Sequence, residues 1–179
     1  NYDGNGNILK HRRSGDSTVL WTMDSLTYYY YEGTNQLKYV HDGSASGNYN
    51  VDIDNQTDTN NYVYDAIGNL TGDDAEGIQK IKWNVYGKIE SIKFTGASGK
   101  PDLVFGYDAM GNRISKKVMP QSAGDTITTY YVRDATGNTM ATYLRIGYTA
   151  SDTLRLSEQH IYGSSRLGMV STSLLLSEQ

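Results

Sequence analysis

The stretch Tyr64-Asp65-Ala66-Ile67-Gly68-Asn69-Leu70 returns almost letter for letter as Tyr107-Asp108-Ala109-Met110-Gly111-Asn112-Arg113-Ile114, and the chain opens on a third copy, Tyr2-Asp3-Gly4-Asn5-Gly6-Asn7-Ile8. Looser copies begin at Tyr31 (Tyr31-Glu32-Gly33-Thr34-Asn35-Gln36-Leu37), Trp83 (Trp83-Asn84-Val85-Tyr86-Gly87-Lys88-Ile89) and Arg133 (Arg133-Asp134-Ala135-Thr136-Gly137-Asn138-Thr139). The template is an aromatic, an acid or amide, two free positions, Gly or Asn, a polar residue and an aliphatic. Each copy reads as strand, turn, strand. The aromatic closes one strand, where a flat side chain packs on the pleat. The acid bonds forward to the backbone and starts a turn. Gly supplies a positive φ at the fifth position, with Asn35 as the non-Gly substitute there. The aliphatic starts the return strand.

One hairpin is marginal in water, so the copies must support each other as neighbours in an array. The starts at 2, 31, 64, 83, 107 and 133 are irregularly spaced, as in arrays that carry loop insertions. The repeat turns are therefore expected to be structural, centred on Tyr2, Asp3 and Gly6, on Tyr64, Asp65 and Gly68, on Tyr107, Asp108 and Gly111, and on Asp134 and Gly137. An acid that recurs in every copy forms a scaffold, because acid–base catalysis needs one pair rather than a ladder.

The chain divides into degenerate repeats at 1–41, an insertion loop at 42–61 rich in Asp, Gly, Ser, Asn and Thr, tighter repeats at 62–147, and a final segment at 148–179. Strands are predicted at 8–12, 19–23, 26–31, 37–41, 62–64, 78–83, 89–94, 103–107, 114–118, 126–132, 139–146 and 154–162, from alternation or short apolar runs bounded by turn residues. No stretch sustains a 3.6-residue period, so the fold class is all-β and antiparallel.

The repeated Tyr-Asp-x-x-Gly-Asn/Arg pattern resembles the YD repeat of the RHS family, which includes bacterial polymorphic toxins, shell subunits of insecticidal toxin complexes and animal teneurins. The segment Glu158-Gln159-His160-Ile161-Tyr162-Gly163-Ser164-Ser165-Arg166-Leu167-Gly168 is similar to the stretch that leads into the RHS-associated core of bacterial members. The resemblance spans nearly the whole chain. It implies YD-repeat hairpins forming a curved or spiralling sheet, part of a larger hollow β-shell that encloses a C-terminal toxin or effector and helps deliver it. It also implies a bacterial secreted or cell-surface location and partners in the flanking repeats of the same polypeptide and the enclosed toxin domain. The family's self-cleaving aspartyl site has no counterpart here, since the only prolines, Pro101 and Pro120, do not form an Asp-Pro-x-Gly sequence. Two alternatives are an extracellular module binding carbohydrate or protein, with a stacking platform among Tyr28 to Tyr31, and a fibre of identical copies joined edge to edge.

Composition removes other classes. A net charge of −4 gives no basic footprint for nucleic acid. No apolar run is long enough for a membrane helix. The absence of cysteine removes disulfides and thiolate chemistry. His11, His41 and His160 are isolated from one another, and Asp52 to Asp58 lacks the turn Gly and closing Glu of a calcium loop, so neither a metal nor a cofactor is expected. Gly163-Ser164-Ser165 has no base near it in sequence except His160. No catalytic residue is assigned. Asp-Ser/Thr pairs at Ser17, Ser25, Thr126 and Thr153 resemble an O-glycosylation acceptor used by some bacteria with a type IX secretion route.

Overall fold

The structure, a computed structural model, describes residues 1–15, 22–44, 53, 55–147 and 154–172. The described strands are β1 (Lys10–Arg13), β2 (Asp24–Tyr30), β3 (Leu37–Asp42), β4 (Tyr62–Tyr64), β5 (Leu70–Asp73), β6 (Ile78–Trp83), β7 (Ile89–Phe94), β8 (Asp102–Tyr107), β9 (Arg113–Met119), β10 (Ile127–Arg133), β11 (Thr139–Ile146), β12 (Arg155–Tyr162) and β13 (Arg166–Ser171). One 3-10 turn, Gly96–Ser98, is the only helical element among the described residues. The protein is all-β. β1-β2-β3 form one antiparallel sheet, and β13 through β4 form a second of ten strands in strict sequence order, a meander that does not close on itself.

The predicted strands at 62–64, 78–83, 89–94 and 139–146 form with those limits. Two others form where none was predicted, β5 and β13. The predicted strand 19–23 lies largely outside the described residues, and Thr22 and Met23 precede β2 without joining it. Within the segment 42–61, of which residues 45–52 and 54 lie outside the described residues, Asp42 ends β3, and Gln56 docks on that strand, its N–H donating to the Val40 carbonyl (3.3 Å) and its side-chain oxygen accepting the Val40 N–H (2.8 Å).

By packing, the chain separates into Asn1–Lys80 and Ile81–Gln179, a boundary unlike the one read from composition. In the first unit Leu26 and Val40 are buried on one face of β1-β2-β3, beside the fully buried Asp24. Asp24 takes the Arg13 guanidinium and accepts the Ile53 N–H (2.9 Å), which is how a carboxylate survives burial. Asp42, also buried, accepts from the Ser25 and Ser44 N–H groups (2.8 and 3.0 Å). In the second unit Ile81 is the one buried hydrophobic among the described residues. Its strands are held by backbone ladders and half-covered side chains rather than by a deep core.

The repeat hairpins at Tyr64, Tyr107 and Arg133 carry a β-bulge one step inside the turn. Tyr64 pairs with Leu70 but Val63 with Gly72, Tyr107 with Arg113 but Gly106 with Ser115, and Arg133 with Thr139 but Val132 with Ala141. The return strand thus holds one extra residue each time, which strengthens the local right-handed twist.

Candidate functional site

The repeat turns are the most regular feature of the molecule, and their geometry is set by the aspartate. In the copy at Tyr64, the Asp65 carbonyl accepts the Gly68 N–H (3.1 Å) and the Asp65 N–H donates to the Asn69 carbonyl (2.9 Å). One carboxylate oxygen accepts the N–H groups of Ile67 (3.1 Å) and Asn69 (2.8 Å), and the other accepts the Asn69 side-chain amide (2.9 Å). Gly68 closes the turn at φ 92, a conformation that a Cβ would oppose. A three-residue loop ending in a left-handed glycine is a common way to cap a bulged hairpin.

The same bonds recur around Asp3, Asp108 and Asp134, with Gly6, Gly111 and Gly137 all at positive φ. In the copy at Trp83, Asn84 accepts the Tyr86 and Lys88 N–H groups (3.0 Å each), but Lys88 replaces the asparagine and the side-chain amide bond is missing. At the two free positions Ile67, Val85 and Met110 stand exposed at the tips, whereas the Thr136 hydroxyl donates to the Asp134 carboxylate (2.8 Å).

The copy at Tyr31 departs from the expected register. Tyr30, not Tyr31, pairs with Leu37, and Tyr31 occupies the aspartate's place, its N–H donating to the Gln36 carbonyl (2.9 Å). The loop is one residue longer, and its positive φ falls on Gly33 (φ 72). Asn35 does not take that role, because among the described residues every positive φ belongs to glycine. Asn35 instead links turns, its side-chain oxygen accepting from the amides of Asn5 (3.1 Å) and Asn7 (2.9 Å).

A second ladder runs beside the turns. The Tyr30 hydroxyl donates to the carbonyl of Ile8, the seventh residue of the preceding copy (2.8 Å). Tyr107 donates to Ile89 (2.9 Å) and Tyr162 to Thr139 (3.0 Å). In the copy that begins with arginine, Arg133 Nε donates to the Arg113 carbonyl (3.1 Å), so a guanidinium N–H fills the hydroxyl's place. In these copies the residue at the rung ties its hairpin to the turn before it. This accounts for tyrosine rather than phenylalanine at Tyr30, Tyr107 and Tyr162: the position needs an aromatic body with a donor at its tip. The sequence signal was the mixture of Tyr, Trp and Arg at position one. Replacing Tyr107 by Phe should therefore cost about 1 kcal/mol, one net hydrogen bond, in urea denaturation. Gly111→Ala should cost a similar amount, about 1 kcal/mol, from φ 82 alone, because its Cβ would meet only the flexible end of Lys88 at 3.7 Å.

The turn aspartates are held in their charged form. The Asn7 side-chain amide lowers the Asp3 carboxyl from 3.8, and Asn69 and Asn112 do the same for Asp65 and Asp108. Asn138, then Thr136, bring Asp134 down to about 2. A depressed folded pKa stabilises above the unfolded value and stops doing so as pH falls through the folded one. Stability should therefore be flat from pH 7 to about 5 and fall between about pH 4 and 2. Urea midpoints across that range would test this, and Asp134→Asn should make the slope shallower.

The remaining sequence candidates do not converge. His160 lies near Glu158 (3.5 Å) and Tyr162, with no bond to Ser164 among the described residues. His41 meets Asn55 (2.7 Å). No cluster of three metal-ligating side chains forms among the described residues. Thr126 is buried with its hydroxyl, so a sugar could reach it only if the fold opened, and Ser25 is half-buried in β2. Ser17 and Thr153, and most of Asp52 to Asp54, lie outside the described residues. Tyr28 and Tyr30 are not a free stacking platform, since both share the face of buried Leu26 and the Tyr30 hydroxyl is committed to Ile8. The exposed Tyr29 stacks on the half-buried Tyr39 at 4.4 Å on the opposite face. No helix among the described residues is long and apolar enough to cross a membrane. No protein-family model matches the chain, and no curated protein matches it in sequence.

Proposed function

We propose that this chain is a non-catalytic segment of an RHS/YD-repeat shell of a bacterial secreted or cell-surface protein, a wall that encloses and helps deliver a C-terminal toxin or effector. The observation that supports this reading is the pair of ladders. Turn and rung repeat from copy to copy, while only Leu26, Val40 and Ile81 are buried hydrophobics among the described residues. Such a chain is fitted to extend a sheet, and the bulges at Tyr64, Tyr107 and Arg133 add twist, which a curving wall needs. The repeat aspartates are engaged in holding turns.

The test is limited proteolysis of the full-length protein that carries this sequence. A shell predicts further repeats on both sides and an unrelated C-terminal polypeptide that resists protease until the wall is broken. Immediate digestion of that polypeptide, or a parent without one, would remove the shell reading. A carbohydrate-binding surface is the second reading, supported by the exposed ring of Tyr29, which lies parallel on the half-buried Tyr39. Retention on a glycan array that is lost in Tyr29→Ala would favour it.

A further inference from the structure

Among the described residues β13 pairs with β12 alone, so its outer edge presents unpaired backbone groups. Edge strands are usually blunted by charge or proline. Here, past Arg166, the strand reads Leu167-Gly168-Met169-Val170-Ser171, and Leu167, Met169 and Val170 are exposed. Its bulge matches the others, since Tyr162 pairs with Arg166 and Ile161 with Gly168, leaving Leu167 as the extra residue, although the loop of three residues is two shorter and carries no turn aspartate. Arg166 therefore takes the register position that the seventh residue holds in the other copies. In the earlier copies the seventh carbonyl takes a donor from the first residue of the next hairpin, as Ile89 does from Tyr107 and Arg113 from Arg133. No described side chain donates to the Arg166 carbonyl.

We propose that the outer edge of β13 is a recognition site for one kind of partner: an antiparallel strand of a further hairpin of the same polypeptide, ending at its turn in tyrosine, tryptophan or arginine. This deepens the shell reading by naming what the wall accepts next, and rests on it for the partner's source. Strand pairing supplies affinity, as in β-augmentation generally. The side-chain donor supplies selection and register. The pairing Ser91–Val104, carried forward, sets Gly106 opposite Ile89 and Tyr107 one residue beyond. Tyr130–Ser115 likewise sets Val132 opposite Arg113 and Arg133 one beyond. The incoming strand accordingly places its penultimate residue opposite Arg166. A phenylalanine-ended strand matches the apolar edge but leaves the carbonyl unbonded.

The experiment is hydrogen exchange on the whole chain with a capped peptide of residues 102–107, Asp-Leu-Val-Phe-Gly-Tyr, at millimolar concentration. The expected result is slower exchange at outward-facing β13 amides. Half-saturation should need about fivefold more of the Tyr107→Phe peptide, the loss of one hydrogen bond, and close to the original concentration for the Tyr107→Trp and Tyr107→Arg peptides. Equal half-saturation by the Tyr and Phe peptides would overturn the rule, as would no protection of β13 or protection confined to another strand. Protection that grows with protein concentration without peptide would assign the edge to a second copy and overturn the proposal. Failure here leaves protease protection of the cargo in the parent protein untouched, so the two readings fail separately.

Discussion

Leu26→Ala is expected to destabilise the first unit by about 3 kcal/mol, the middle of the range for truncating a buried leucine. Leu26 is 2% exposed in the central strand of β1-β2-β3. The unit buries only one other hydrophobic among the described residues, Val40, so the hole has few apolar neighbours available to fill it. Its neighbours in register are His11 and Asp42, polar residues that cannot close the gap cheaply. Urea denaturation followed by tyrosine fluorescence would report the shift. A loss below about 1 kcal/mol would mean that the three strands are held by their ladders and turns alone.

Arg13→Met should cost about as much, about 3 kcal/mol at neutral pH, for an electrostatic reason. Asp24 is fully buried, and the Arg13 guanidinium, then the Ile53 N–H, hold its carboxyl below 3.8. Without the cation the buried carboxylate keeps the Ile53 N–H as its donor, and the methionine stem restores only the packing. The sign of the pH dependence separates this from a simple packing loss. In the wild type the depressed carboxyl stabilises above its unfolded value and loses that contribution on acidification. In the variant the carboxyl titrates higher, so the deficit between the two proteins should be largest near pH 7 and shrink toward pH 4. Asp24→Asn placed in the same background should recover much of the loss, because a neutral amide is cheaper to bury. A deficit that does not change with pH would show that the charge is not what Arg13 serves.

The turns were legible in the sequence because their chemistry is local. Asp65 bonds residues two and four ahead of it, and Gly68 stands where the backbone turns left-handed, so seven letters carry the whole geometry. The strands were legible where apolar residues alternate, as from Ile78 to Trp83. Leu70-Thr71-Gly72-Asp73 forms a strand with one aliphatic side chain, because β4 pairs with it and the template fixes its start. β13 escaped because Gly168 interrupts its apolar run from Leu167 to Val170. The place of Tyr30 and Tyr31 could not be read, since four consecutive tyrosines fit either register and only the longer loop at Glu32 to Asn35 decides it. The carbonyl rungs were hidden most deeply. They join residues about 20 apart, and no single copy contains both partners.

The meander has a consequence for the order of events in time. From β4 to β13 each strand pairs with the strands beside it in sequence, so no segment has to wait for a distant one to arrive. Folding rates rise as contacts become more local. A chain of this kind can fold as it leaves the ribosome, each hairpin closing on a finished predecessor. Interrupted synthesis would then leave a shorter folded sheet instead of a collapsed intermediate.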